Sequence, residues 1–389
     1  MIPYAQQLIP KADFKNIKKI LSSNYLTQGP VKERFEKKIS ELCKVKYVTS
    51  FNSATSALHI ACLALGVGKK DIVWTSTNSF VASANCALYC QAKVDLVDIS
   101  LKDFNLDLDI LENKLKLAKR KKKLPKVIIP VHFGGLPPNL KRLKRLKKTY
   151  KFKIIEDASH SIGAKYLNSP VGNCKYSDIT VFSFHPVKII TTAEGGAATT
   201  NNLRIYKRLQ QLGFHGITRE KKYLNFKRKP SWYYEHQMLG YNYKLDEIQS
   251  ALGISQIESL KSWIKKRNEI AQKYKKAFKS LPLSFQKIDK NILSSYHLFV
   301  ILVKKNRLNI TRDYVFKILK RKKIFANLHY IPIHKQPYFK KLGFKNKNFR
   351  FAEDYYKKCL SIPMYAGLTK SKQNIVIKEI KKIFGNSNV

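Results

Sequence analysis

The chain has 389 residues, 44% of them hydrophobic, with 21 Tyr and 21 Phe, enough to bury a large core and to exclude wholesale disorder. It carries 75 Lys plus Arg against 26 Asp plus Glu, a formal charge of +49, which raises nucleic-acid binding as a class of function. The basic residues run the whole length with no nucleic-acid fold motif, so a solvated lysine-rich surface is expected, one whose field would favour an anionic substrate. No apolar run reaches the length of a membrane span, and the start MIPYAQQLIP lacks the regions of a signal peptide, so a cytoplasmic protein is expected. Cys43, Cys62, Cys86, Cys90, Cys174 and Cys359 are scattered without a CxxC pair. They read as reduced, mostly buried thiols, and no metal site is expected.

Residues 12–22 pattern as a short amphipathic helix, followed by an ordered loop, YLTQGP. There Thr27, Gln28 and Gly29 offer a hydroxyl, an amide and a flexible backbone. A helix at 35–42 leads to an apolar strand at 46–50. In FNSATSALHIACLALGV, Ser53, Ala54, Thr55 and Ser56 lie where a strand turns into a helix. Free N–H groups and the positive dipole end suit a phosphate there, and a plain hydroxyl cap is the equal alternative. The alternation continues with strand 72–75, helix 80–89, strand 94–99 and helix 110–117, after which the basic run 119–123 reads as loop. Strand 127–131, helix 139–150 and strand 153–156 follow. This order predicts an α/β fold, with a mainly parallel sheet covered by helices and ligands at the carboxyl ends of the strands.

The stretch SDITVFSFHPVKIITTAEGGAATT, residues 177–200, opens as an apolar strand and then changes character at Ser183, His185 and Lys188. Upstream, IIEDASHS is a strand ending in Asp157 and His160. A lysine and an acid at two strand ends form the pairing that pyridoxal phosphate chemistry needs: an amine for the Schiff base, and a carboxylate to keep the pyridine nitrogen protonated. Beyond a helix at 204–212, the aromatic and polar stretch to 244 reads as a long functional loop. A helix at 245–253 and a long helix through Ile270, Tyr274 and Phe278 come next. From about 282 a smaller α+β unit follows: strand 296–303, helix 312–320, strand 325–330 and two late helices. A large domain over 1–255, and a linking helix with a small domain over 256–389, are the expected division.

Several stretches together resemble the DegT/DnrJ/EryC1/StrS sugar aminotransferases, which are fold-type I pyridoxal phosphate enzymes. They are LTQGP, NSATSALHIA, SFVASAN, IIEDASHSIGA, VFSFHPVKIITTAEGGA, GYNYKLDEIQSALG, LHYIPIH and SIPMYAGL, in order over the whole chain. Within the family the likeness is greatest to enzymes of pseudaminic acid biosynthesis that aminate a UDP-linked 4-keto-6-deoxy sugar. The resemblance implies a seven-stranded-type sheet and pyridoxal 5'-phosphate as cofactor. It places Lys188 as the Schiff-base lysine, Asp157 at the pyridinium nitrogen, His160 beside the phenolic oxygen and Phe80 stacked on the ring. Ser183, Thr55 and the backbone at Ala54 match the phosphate cradle, although many relatives carry Gly at the position of Ala54. Asn242 matches an asparagine reaching the phosphate from a neighbouring subunit, which implies a homodimer with shared sites. Thr27, Gln28, His329 and Tyr330 are placed at the substrate. L-Glutamate is the implied amino donor and a nucleotide sugar the acceptor. Another nucleotide-linked ketosugar, or a non-catalytic basic binding protein on the same fold, are the alternatives. Related dehydrases carry His at the lysine position, and Lys188 argues against them.

Overall fold

Short apolar strands between amphipathic helices dictate a sheet buried on both faces, and the computed structural model, which describes residues 1–226, 229–305, 309–345 and 348–385, has that architecture. Helices α1 (Lys11–Leu21) and α2 (Pro30–Cys43) lead to strand β1 (Tyr47–Phe51), then α3 (Ala54–Ala64), β2 (Ile72–Ser76), α4 (Ala82–Tyr89) and β3 (Lys93–Val97). Next come α5 (Leu108–Arg120), β4 (Val127–Ile129), α6 (Leu140–Tyr150) and β5 (Lys153–Asp157). The two-residue strands β6 (Lys165–Tyr166) and β7 (Ser169–Pro170) form a side ribbon before β8 (Ile179–Ser183) and β9 (Gly196–Thr200). The main sheet has the order β1-β9-β8-β5-β4-β2-β3.

Strand β9 is antiparallel to both neighbours, and the other pairings are parallel. The remaining six strands therefore point one way, and their carboxyl ends share one edge. Alternation along β8 sends Phe182 into the core beneath α2 and α8, and Ile179 and Val181 into the core beneath α3. The sequence reading did not predict β9, because GAATT has little of the β-branched or aromatic bulk that marks a strand. Small residues are required there: a side chain on Gly196 would lie 2.5 Å from the Ala54 nitrogen.

Helix α7 (Leu203–Gly213) precedes the long connection, which holds only β10 (Ile217–Thr218), β11 (Glu235–His236) and a single 3-10 turn among its described residues; 227 and 228 lie outside them. The two helices expected at 245–253 and around 270 are one, α8 (Glu247–Ala277). Gly253 does not end it. A side chain at 253 would meet the Phe35 ring at 2.4 Å, so the glycine serves close packing against α2. Helix α8 starts with a capping box on Asp246 and Gln249, and its Glu247 carboxylate accepts the Val31 and Lys32 N–H groups of α2 at 2.7 and 3.2 Å.

The C-terminal part holds β12 (Leu283–Phe285), β13 (Ile292–Leu293), β14 (Phe299–Val303), α9 (Arg312–Arg321), α10 (Pro337–Lys341), α11 (Arg350–Lys358), β15 (Cys359–Ile362) and α12 (Lys370–Ile383). Strands β12, β14 and β15 form an antiparallel sheet in that order. The strand expected at 325–330 is absent: this segment joins β15 by a single bridge, Asn327 to Ser361, before Pro332 ends any pairing. Among the described residues three late helices replace the two expected, and the basic run begins inside α5, which continues to Arg120. Buried Arg267 of α8 donates Nη1 to the carbonyls of Tyr296, His297 and Met364, which ties this part to the helix. The expected division at 255 falls inside α8. All six cysteines are free and buried.

Candidate active site

The carboxyl edge of the sheet gathers the chemistry. Asp157 closes β5 and is 5% exposed. Its Oδ2 accepts from Ser83 Oγ at 2.6 Å, while Oδ1 accepts from Ser159 Oγ at 2.6 Å and Ser159 N at 3.1 Å. Lys188 follows β8 on a turn closed by its own N–H to the His185 carbonyl at 2.9 Å. Its side chain is half-buried, and no described residue hydrogen-bonds or ion-pairs with the amine. Burial pushes the amine down to about 8, opposed by the attraction of the Asp157 carboxylate.

His160 lies one turn past Asp157 and is buried. Burial first, then the Lys188 charge, hold its imidazole far below the ordinary histidine range, so the ring is neutral. The Gly134 N–H points at its Nδ1 at 3.3 Å, and Nε2 meets the Tyr330 hydroxyl at 3.1 Å. An N–H can only donate, so the imidazole proton sits on Nε2 and is offered to Tyr330. Burial, then Asp157, raise the Tyr330 hydroxyl above its usual value, and Tyr330 N donates to Asn78 Oδ1 at 3.2 Å. His329 is held by Ser361 Oγ at 2.8 Å; burial and then Lys188 push it down to about 3. Phe80 precedes α4 rather than lying in it. Its ring is 59% exposed and 6.3 Å from that of Tyr330.

Ser183 ends β8 and is buried. Nearby, Ser53 caps α3, its Oγ accepting from Ser56 N at 3.1 Å. Ala54 and Thr55 begin that helix, where backbone N–H groups have no partner within the helix. Asn242 is exposed, and the next residue's carbonyl accepts Asn52 N at 2.8 Å, which sets it close to the start of α3. Thr27 and Gln28 are also exposed. Gln28 opens on a separate cleft of about 890 Å³, shared with Lys32, Lys207, Arg219, Tyr223 and Lys244, that touches none of Lys188, Asp157, His160 or Tyr330. Within one chain, then, Asp157, His160, Lys188, His329 and Tyr330 converge, and Thr27 and Gln28 do not join them.

The DegT/DnrJ/EryC1/StrS aminotransferase family profile matches residues 7–381. The chain belongs to this family. The aminotransferase is 36% identical over 390 residues to the UDP-4-amino-4,6-dideoxy-N-acetyl-beta-L-altrosamine transaminase of Campylobacter jejuni serotype O:2, covering 98% of this chain and 99% of that one. Helicobacter pylori PseC, an aminotransferase involved in the biosynthesis of pseudoaminic acid, superposes with a TM-score of 0.88 at 30% identity, over 98% and 99% of the two chains. The PLP form of the sugar aminotransferase Spr1654 of Streptococcus pneumoniae does so with a TM-score of 0.88 at 27% identity, over 98% of each chain. This is a pyridoxal phosphate-dependent sugar aminotransferase.

The residues fit that cofactor. Gly196 lets the start of α3 settle against β9, where the Ala54 and Thr55 N–H groups, unlike that of Ser56, carry no hydrogen bond among the described residues, and with the hydroxyl of Ser183 this donor set matches a phosphate monoester. The carboxylate of Asp157 is an acceptor suited to a protonated ring nitrogen, and the lone amine of Lys188 is suited to an aldehyde. Sequence reasoning missed Ser83, Ser159 and Asn78. Within SFVASAN only Phe80 stands out in the sequence, and nothing in the local pattern marks Ser83 as the hydroxyl that meets Asp157.

Proposed function

We propose that the enzyme transfers the amino group of L-glutamate to the C4 ketone of a UDP-linked 4-keto-6-deoxy-N-acetylhexosamine. The observation that carries the transaminase chemistry is the meeting of an unpaired, half-buried Lys188 with buried Asp157 and neutral His160 at one strand edge. The similarity to the Campylobacter jejuni transaminase supports the choice of sugar.

Lys188, Asp157, His160, Phe80, Ser183, Thr55 and the backbone at Ala54 hold the cofactor in this reading, with Asn242 arriving from a second copy of the chain. When bound, pyridoxal phosphate supplies the carbonyl that takes up the amino group and the ring that draws electrons from the reacting carbon. Lys188 moves the proton. An amine brought down to about 8 is neutral for an appreciable share of molecules near neutral pH, so it can take the Cα proton of the donor and return one in the second half-reaction. Asp157 offers its carboxylate to the ring nitrogen. His160 and Tyr330 present an N–H and a hydroxyl rather than charges, so they orient without competing for that proton. Exposed Phe80 provides an apolar face, and His329 and Tyr330 form the wall that the sugar meets.

The test is a two-stage assay on purified enzyme. Glutamate alone should yield one equivalent of 2-oxoglutarate per site, and a UDP-linked 4-ketohexosamine should then accept the nitrogen and restore the starting spectrum. Turnover with a GDP-linked ketosugar and none with the UDP-linked one would overturn the choice of substrate.

A further inference from the structure

We infer that Ser83, backed by Ser79, is a positioning residue that fixes the orientation of the Asp157 carboxylate for the cofactor. The inference rests on the cofactor reading and not on the identity of the sugar. Ser79 Oγ lies 2.7 Å from Ser83 Oγ, which lies 2.6 Å from Asp157 Oδ2. Ser83 is 0% exposed and Ser79 3%, so water does not compete for these bonds.

The direction of the chain follows from its chemistry. A hydroxyl has one proton to give, and a carboxylate only accepts. Ser83 therefore donates to Oδ2, and its remaining capacity is to accept from Ser79. The other carboxylate oxygen is fixed by Ser159, through both its hydroxyl and its N–H. Donors from two different segments thus clamp the two oxygens, and rotation about the carboxyl bond would break the set.

Ser79 and Ser83 flank Phe80 on the segment that enters α4, so one short stretch both presents an aromatic face and sets the carboxylate at the strand end. No sequence rule separates Ser83 from a helix cap. Its partner is 74 residues away, on β5.

The experiment compares Ser83→Ala, Ser83→Thr and Ser79→Ala with the parent protein. Cofactor dissociation constants are measured on apo protein by titration with pyridoxal phosphate, and the visible spectrum of the loaded protein is followed against pH. Ser83→Ala should bind the cofactor on the order of tenfold more weakly, the loss expected for a buried hydrogen bond to a charged group, and should change the pH dependence of the absorbance band. Ser79→Ala should show the same change at reduced size, and Ser83→Thr, which restores the hydroxyl, should return most of the affinity. A folded Ser83→Ala protein with parental affinity and an unchanged spectral pH profile overturns the inference. If Ser83→Ala does not fold, parental affinity and spectrum in Ser79→Ala overturn it, as does a folded Ser83→Thr that still binds weakly. None of these readouts uses the sugar, so a wrong acceptor in the proposed function leaves this test intact.

Discussion

The two ends of the central sheet are built by opposite rules. At the carboxyl ends Asp157, His160 and Tyr330 are largely sheltered from water and each holds a named hydrogen-bond partner. At the amino ends, Lys46, Lys69, Lys70, Lys121, Lys122, Lys123 and Lys151 stand exposed before their strands and Lys93 and Lys153 stand exposed as the first residues of β3 and β5, and the acids nearby are already engaged: Asp71 by Lys126 at 2.9 Å and Asp178 by Lys147 at 2.7 Å. A solvated lysine costs the fold almost nothing, whereas a charge at the closed end alters every neighbour. The excess of lysine therefore accumulates where water screens it, and the lysine that matters chemically, Lys188, is the half-buried one at the closed end whose amine has no hydrogen-bond or ion-pair partner among the described residues.

Breaking the buried end should have the largest effect. Lys188→Ala should remove turnover by at least about a thousandfold, the scale on which loss of a covalent-catalysis group acts, and should abolish the visible absorbance of the bound cofactor. A variant that kept both would end the assignment. The next effect is one of pH. Because burial lowers the amine to about 8, its neutral fraction falls about tenfold for each unit below that value. Capture of pyridoxal phosphate by apo protein should accelerate with rising pH and level off above about 8. An acceleration continuing to the ordinary lysine range would show that the amine is not desolvated.

Tyr330→Phe takes away the hydroxyl that receives the His160 proton and leaves a buried N–H without an acceptor. A loss of about 1–3 kcal/mol in folding stability is expected, read by denaturant midpoint, with a smaller fall in turnover. The mildest change is at the other end. Replacing Lys121, Lys122 and Lys123 together with Gln should leave kcat within about twofold and shift stability by less than about 0.5 kcal/mol per site, the usual range for surface substitutions. A lower salt sensitivity of kcat/KM would reveal that the basic field steers an anionic substrate. A collapse of activity would mean that the two ends are not independent.

Much of the buried end was legible because its residues are chemically unusual for their setting. A lysine after an apolar strand, and an acid closing another, stand out from any pattern of packing. The parallel sheet followed from the rhythm of strands and helices. Ser83 was not legible, since a small hydroxyl near a helix start has an adequate local explanation. Strand β9 was hidden because the close approach of α3 selects small side chains, and these erase the strand signature. The segment 325–330 misled in the other direction: Leu328 and Tyr330 pack, partly buried, against the cluster that holds Phe133, Phe339 and Tyr355, while Phe325 stands exposed, and none of them extends a strand ladder. The single length of α8 was missed because Gly253 looks like a stop, and only the Phe35 ring explains it.

That helix carries a mechanical consequence. Its first residue, Glu247, grips α2, and Arg267, about five and a half turns on, grips three carbonyls of the C-terminal part. The two grips are locked in phase on one unbroken shaft, so one residue inserted between them would swing the guanidinium by about 100°. The enzyme should therefore tolerate lengthening in the loop before Asp246 far better than the gain of a single amino acid within this rod.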